Sequence, residues 1–263
     1  MNKIKKNGWS GKIEVDYKPS RDMLIYASVS RGLKSPGFNN GIIANGLAPG
    51  KIPFRSETML AYELGMKSTF ADGRASANLA AFYYDYKDFQ AVSFEGVGSL
   101  ISNRDAKIYG LEAEFNAKPI DGLTLSLSGG YVHTKLFQVP NAGGIVADRE
   151  MALAPSWTVN GRIRYEVPIG SNELGFQLDA NARDSFFVNP GNDTAAAVPK
   201  FAEVNGRIDL TGDGKRFNLA LVGKNLLNDR FITSIFVLQG LGGYRYIFYN
   251  KPRTFAVEAT FNF

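Results

Sequence analysis

Apolar and polar positions alternate along most of this chain with a period of two. The pattern is plainest in the segment Lys251-Pro-Arg-Thr-Phe-Ala-Val-Glu-Ala-Thr-Phe-Asn-Phe263. There Phe255, Val257, Ala259, Phe261 and Phe263 are apolar, while Thr254, Ala256, Glu258, Thr260 and Asn262 are polar or small. Successive strand side chains point to opposite faces, so such a segment has one greasy face and one wet face. The alternation recurs about eleven times. Among the clearest instances, Tyr109, Leu111, Ala113 and Phe115 alternate with Glu112, Glu114 and Asn116. Val159, Ile163, Tyr165 and Val167 alternate with Asn160, Arg162, Arg164 and Glu166, and Leu174, Phe176 and Leu178 with Gln177, Asp179 and Asn181. The pattern predicts an all-β protein of about 11 antiparallel, meandering strands.

The connections alternate as well. Short turns are predicted at Pro19–Asp22, Ala71–Gly73, Pro119–Gly122, Pro168–Asn172 and Thr211–Gly214, on Asp-Gly and Pro signals. Between them lie longer Gly- and Asn-rich stretches, near 32–56, 91–104, 138–153, 188–200 and 227–250. Loops sorted by length to the two ends of a meander are the arrangement of a bacterial outer-membrane barrel, whose short turns face the periplasm. The polar face carries Glu112, Glu114, Arg162, Arg164, Arg183 and Arg207. Small barrels fill their interior with packed apolar side chains, so this many charges on one face imply a wide, wet lumen. In a soluble β-sandwich the same residues would form the solvated face, and that reading stays open here.

Composition narrows the field. Of 263 residues, 44% are hydrophobic, 28 are Gly, and Tyr and Phe number 12 and 19, a mixture suited to strands, turns and interfacial aromatic belts. No segment approaches the ~20 apolar residues of a membrane helix. There are no cysteines, which excludes disulfides and thiolate metal sites. The net charge of +5 is scattered, with no basic run interleaved with aromatics, so no nucleic-acid partner is expected. His133 is the only histidine, and no Ser, His and Asp set suggests a nucleophile. Neither catalytic residues, nor a metal, nor a cofactor is expected. The basic start, Met1-Asn-Lys-Ile-Lys-Lys6, has no apolar stretch after it. An exported protein needs a signal, so either the outer-membrane reading fails or the chain is a piece of something longer.

Several pieces, in order, resemble TonB-dependent outer-membrane receptors. They are Tyr26-Ala-Ser-Val-Ser-Arg-Gly-Leu-Lys-Ser-Pro-Gly-Phe-Asn39, Ser56-Glu-Thr-Met-Leu-Ala-Tyr-Glu-Leu-Gly-Met-Lys67, Ala81-Phe-Tyr-Tyr-Asp-Tyr-Lys-Asp-Phe-Gln90, Tyr109-Gly-Leu-Glu-Ala-Glu114 and Gly223-Lys-Asn-Leu-Leu-Asn-Asp-Arg-Phe231, followed by Pro252-Arg253 and the closing strand. The resemblance implies a transmembrane β-barrel of 22 strands plugged by an N-terminal domain. Residues 1–263 would be the C-terminal part of that barrel, without plug domain, TonB-binding segment or signal peptide. It further implies TonB-energised uptake of a scarce substrate, an iron-siderophore complex above all, with outer-membrane lipid, the barrel assembly machinery, the N-terminal half-barrel and the plug as partners. A passive porin-like or adhesin-like barrel and a soluble β-sandwich binding module are the alternatives. An eleven-strand sheet alone would leave two bare edges, so the isolated chain is expected to aggregate or to need its other half.

Three groups of residues carry the functional expectations. Arg31, Phe38 and Asn39 at the first long loop, and Tyr244, Arg245 and Tyr246 in the last, are candidates for substrate contact, through stacking and pairing with an anionic or aromatic chelate. An aromatic belt is the competing reading for the tyrosines. Glu112, Glu114, Arg162, Arg164, Arg183 and Arg207 are candidates for facing the lumen and plug, or for pairing with one another along the wall. Phe255, Val257, Phe261 and Phe263 are read as an assembly signal.

Overall fold

The structure is a computed structural model that describes residues 4, 7–40, 47, 49–95, 98–212, 214, 216–238 and 244–262. Its strands run β1 (Gly11–Ser20), β2 (Met23–Lys34), β3 (Gly37–Phe38), β4 (Pro53–Phe54), β5 (Glu57–Phe70), β6 (Ala75–Glu95), β7 (Gly98–Ala117), β8 (Leu123–Pro140) and β9 (Val146–Arg149). They continue with β10 (Trp157–Ile169), β11 (Asn172–Arg183), β12 (Phe186–Phe187), β13 (Ala197–Val198), β14 (Phe201–Thr211), β15 (Phe217–Lys224), β16 (Ile232–Leu238), β17 (Tyr244–Tyr249) and β18 (Thr254–Phe261). Eleven form one antiparallel sheet in the order β1-β2-β5-β6-β7-β8-β10-β11-β14-β15-β18, with β9 added to the upper end of β8. Each long strand pairs with the next long strand, as the short turns require. Elsewhere β3–β4, β12–β13 and β16–β17 form small hairpins within the long connections. β16, which follows β15, touches β6, six places away in the sheet, so the sheet curls around toward itself.

Ladder register brings the alternating residues into two uniform faces. Val15, Ala27, Leu64, Ala81, Leu111, Tyr131 and Trp157 lie opposite one another in one row across seven strands. Large apolar side chains on this face lie open, Leu111 at 59% and Leu178 at 51%. No second sheet covers them among the described residues, which rules out a sandwich core, and a surface of this size demands hydrocarbon instead of water.

Aromatics bound the apolar band. Register aligns Tyr62, Tyr83, Tyr109 and His133 on β5 to β8, with Tyr62 and Tyr83 ring centroids 6.3 Å apart and the His133 ring stacked on Tyr109 at 4.8 Å. Toward the short turns, Phe70 and Phe115 meet at 6.4 Å, Tyr165 faces Phe176, and Phe217 faces Phe261. From Tyr62 to Phe70 is eight residues, about 27 Å of strand. A tilt of 35–45° leaves about 20 Å between the two girdles, close to the apolar band of outer-membrane barrels.

Above the upper girdle the strands change character. Register breaks between Tyr86 and Phe89 on β6 and between Leu136 and Val139 on β8, and Asp88 (φ 58°) and Gln138 (φ 54°) take up the left-handed backbone at these bulges. Residues 91–104, expected as a loop, are largely the continuation of β6 and β7. Much of 227–250 is likewise the β16–β17 hairpin and not irregular chain.

Candidate functional site

The polar face is a charged wall. Near the short-turn end, the Arg164 guanidinium donates to both Asp209 oxygens at 2.9 and 3.2 Å and through Nε to Glu166 at 2.9 Å. Arg207 donates to the same Asp209 at 3.2 Å, to Glu258 at 2.6 Å and to Asn218 at 2.9 Å, and Asn218 returns a bond to Asp209 at 3.1 Å. This network runs from β10 to β18. Arg164 reaches β14 only by crossing β11, where the ladder places Gly175 opposite Asp209. A Cβ at Gly175 would stand 2.6 Å from an Arg164 nitrogen and 3.0 Å from an Asp209 oxygen, so no larger residue leaves the bridge room. The same device recurs at Gly65, over which the Tyr26 ring lies while its hydroxyl donates to Glu63 at 2.6 Å.

The wall candidates separate on inspection. Arg164 and Arg207 pair along the wall, with Asp209, Glu166 and Glu258 and not with Glu112 or Glu114. Glu114 accepts from Asn116 at 2.8 Å and Asn78 at 3.4 Å. Glu112 and Arg162 are exposed on the polar face, and neither has an ion pair among the described residues. Arg183 has left the wall for the rim. It lies between the Phe186 and Phe201 rings at 4.4 and 4.7 Å, with Phe231 stacked on Phe201 at 4.4 Å, and donates to the carbonyls of Asp184 and Pro199. Asp209, two strand pairings from Arg164, does not stand out in the sequence because alternation orders residues within one strand and not across several.

The loop candidates also fall apart into different roles. Arg31 does not open the loop. It lies inside β2, donates to the Trp9 carbonyl and stacks over the Trp9 ring at 4.5 Å. Asn39 is buried, its amide donating to the carbonyls of Lys51 and Ile101 and accepting from the Ile101 N–H at 2.8 Å, so it fastens the loop to β7. Phe38 is 39% exposed on β3. Tyr244, Arg245 and Tyr246 lie in strand β17. Tyr244 and Tyr246 are exposed at 71% and 59%, and Arg245 donates to the Ala195 carbonyl at 3.5 Å. Phe255, Val257 and Phe261 line the apolar face of β18, and Phe263 lies outside the described residues.

Together the long connections form a cap. Ala91, Ala106, Leu136, Val139 and Met151 make a small apolar core with Tyr86, Phe89 and Ile108 packed against it. The connections 141–156 and 184–200 clasp each other: Glu150 N–H donates to Asn192 Oδ1 at 2.7 Å, Asn192 Nδ2 to the Glu150 carbonyl at 3.0 Å, Ala142 N–H to Asp193, and Leu153 N–H to the Phe187 carbonyl. The Ser156 hydroxyl, donating at 2.7 Å, and the Ser185 amide hold the Asp184 carboxyl below the usual carboxylate range. Similarly, the Lys87 ammonium at 2.9 Å, with the Asp88 amide, lowers the Asp105 pKa against a smaller desolvation effect. Among the described residues no three His, Asp or Glu side chains gather into a metal-holding group.

An open apolar face between aromatic girdles, a charged opposite face and a cap at the long-loop end set the frame for comparison with known proteins. The family model for TonB dependent receptor-like β-barrels matches residues 2–226. The chain belongs to this family. TonB-dependent receptor barrels are receptors and transporters of the bacterial outer membrane, and that membrane is where this barrel resides. The ferric-pyoverdine M114 receptor PbuA of Pseudomonas sp. (strain M114) is 27% identical over 208 residues, which cover 77% of this chain and 24% of PbuA. Among solved structures, the ferric yersiniabactin uptake receptor FyuA from Yersinia pestis superposes with a TM-score of 0.75 at 19% identity, covering 97% of this chain and 37% of FyuA. The siderophore receptor PiuA from Acinetobacter baumannii gives 0.69 at 18% identity, covering 95% of this chain and 35% of PiuA. This part of a TonB-dependent receptor barrel thus spans about a quarter to just over a third of the length of these relatives.

Proposed function

We propose that the protein carrying this barrel takes up a ferric siderophore complex across the outer membrane, with energy delivered through TonB. The observation that carries the reading is the continuous charged wall behind a lipid-exposed face, in a chain of this family. A wall of that kind lines a wet passage. The names borne by PbuA, FyuA and PiuA, two ferric-siderophore receptors and a siderophore receptor, favour iron as the cargo. On this reading β1 and β18, each paired on one side only among the described residues, join further strands of the barrel, and a plug domain fills the bore.

The residues then divide by duty. Glu112, Glu114 and Arg162 have their charges open toward the bore and are the contacts offered to a plug. Arg164 and Arg207 are engaged in the wall and stiffen it. Phe38, Tyr244, Arg245 and Tyr246, in the cap, are the contacts offered to an aromatic or anionic chelate. Asn39 and Arg31 hold structure and not substrate. Phe255, Val257, Phe261 and Phe263 serve recognition by the barrel assembly machinery. The test is growth under iron limitation on single siderophores, with and without the full-length gene. Rescue by at least one ferric chelate, lost when TonB is deleted, is the expected outcome. Equal growth of both strains on every chelate would sink the iron reading.

A further inference from the structure

A cavity of about 700 Å³ lies in the cap where β7 runs on past the end of its pairing with β8. Its size is that of a small-molecule site. Its lining includes Lys51, Arg55, Arg104, Asn103, Asn141 and Asp193. The charges do not balance. Arg55 is held by Asp88, which takes both its Nε and Nη2 bonds at 2.9 and 2.6 Å. The Asp193 carboxylate is occupied by the Ala142 N–H at 3.0 Å and the Asn189 amide at 2.7 Å. Arg104 is different. Its Nε is buried with no hydrogen-bond partner, and no ion pair among the described residues reaches its guanidinium or the Lys51 ammonium. With Nε sealed from solvent, the Nη edge is what Arg104 can offer the cavity it lines, and the uncompensated charge of a half-buried guanidinium favours an oxygen acceptor there. A planar fork of donors in a cavity of this size matches a carboxylate or similar oxyanion.

We propose that this cavity is the subsite for an anionic, oxygen-rich ferric chelate, with the Arg104 guanidinium as its principal anchor and the Lys51 ammonium as a second cation. The proposal rests on the uptake reading above and adds the charge class of the cargo and the residues that select it. The chelate's carboxylate or catecholate oxygens take the donors that the fold leaves open on Arg104, while the Asn141 amide, whose oxygen alone is engaged, by the Ile145 N–H, suits a remaining oxygen. Phe54 on the same lining gives it an apolar side.

The experiment is calorimetric titration of the full-length receptor in detergent with ferric chelates of different net charge: ferric citrate, ferric rhizoferrin and ferric enterobactin as anions, ferrichrome as a neutral chelate and ferrioxamine B as a cation. At least one anionic chelate binds, and Arg104→Gln weakens it about 10–100-fold, the loss of one charge-assisted fork. Arg104→Lys keeps the charge without the fork and gives an intermediate loss. The exposed Lys51→Gln, which leaves the fold untouched, gives a smaller loss that shrinks in high salt. A heat-modifiable band on gels confirms that each variant is assembled. Anionic chelates that bind Arg104→Gln as tightly as the parent overturn the subsite. Binding of only the neutral or cationic chelates overturns it too, but leaves ferric uptake standing. Binding of none overturns both.

Discussion

The wall and the cap use polar side chains in opposite ways. On the inner strands of the wall the backbone N–H and C=O groups are spent on neighbouring strands, so the side chains bond one another: Arg164, Asp209, Arg207, Asn218 and Glu258 form a network with no backbone member. In the cap the strand ladders give out, and side-chain amides take over the missing backbone bonds. Asn39 replaces a strand along Ile101, and Gln90 donates to the carbonyls of Ser35 and Arg55. Asn103 donates to the Arg55 and Asp88 carbonyls, and Asn192 clasps Glu150 from both sides. Asn and Gln carry a donor and an acceptor, as a peptide unit does, whereas carboxylates and guanidinium groups carry only one kind. That asymmetry explains why the long connections are rich in Asn and the wall is rich in charge.

The sharpest break of this contrast is Asp209→Ala in the wall. Asp209 is 3% exposed and neutralises two arginines that are themselves 22% and 27% exposed. Removing one member of a buried charge network costs about 3–5 kcal/mol, and the partial exposure of both arginines lowers this to about 2–3 kcal/mol. Urea unfolding of the assembled receptor, followed by loss of heat modifiability, measures it. An unchanged midpoint would mean that solvent already screens the network. In the cap the matching residue is Asn225, 2% exposed, whose amide donates to the Asp229 and Lys251 carbonyls and accepts the Asp229 N–H, and whose own N–H is accepted by Asn205. Its φ is 51°, in the left-handed region. Asn225→Ala therefore costs about 2 kcal/mol and Asn225→Gly about 1 kcal/mol less, because glycine relieves the strain but not the lost bonds. Equal losses for the two variants would show that the bonds alone matter.

Asn192→Ala has a smaller global effect, about 1 kcal/mol, because its site is wetter. Its local effect is diagnostic: amide exchange at Glu150 rises together with exchange at Leu153 and Val188, since the two connections are one clasped unit. Faster exchange confined to residues near 192 would make them independent loops. The mildest test is pH. Asp105 has its pKa lowered by Lys87, so the pair's contribution is fully present above the ordinary carboxylate value of 3.8 and is lost as pH falls through the lower folded value. The outer ends of β6 and β7 should loosen only below about pH 4. Limited pepsin cleavage between 87 and 105 should rise there, and in Lys87→Gln it should rise at a higher pH. Cleavage independent of pH in both proteins would remove Lys87 from the account.

The sheet was legible in the sequence because lipid allows no exception: each span such as 109–117 or 159–167 has to turn its aliphatics one way. The short turns were legible for the same reason, since Asp-Gly and Pro leave few other geometries. The cap obeys no such rule. Residues 90–95 alternate as a strand does, yet the glycines beyond them read as a loop. Tyr244–Tyr249 carries aromatics at Tyr244, Tyr246, Phe248 and Tyr249, on both faces, with Ile247 between them, and so shows no clean polar–apolar period, although it is a strand. Arg183 has the spacing of a wall residue, but it stands at the last position of β11, where Phe186 and Phe201 draw it aside. The Arg164–Asp209 bridge depended on a gap left by Gly175 on the strand between them. One strand's pattern contains no record of what lies two strands away.

The stacked pair of Tyr109 and His133, continuing the line of Tyr62 and Tyr83, acts as a waterline. Rings of this kind settle where headgroups meet hydrocarbon. Sinking would drag Lys87 and Asp105 into oil, and rising would lift Leu111 into water, so the mouth is moored at a fixed elevation over the leaflet. On the uptake proposed above, cargo would come down to it from the surrounding medium, not sideways from the bilayer.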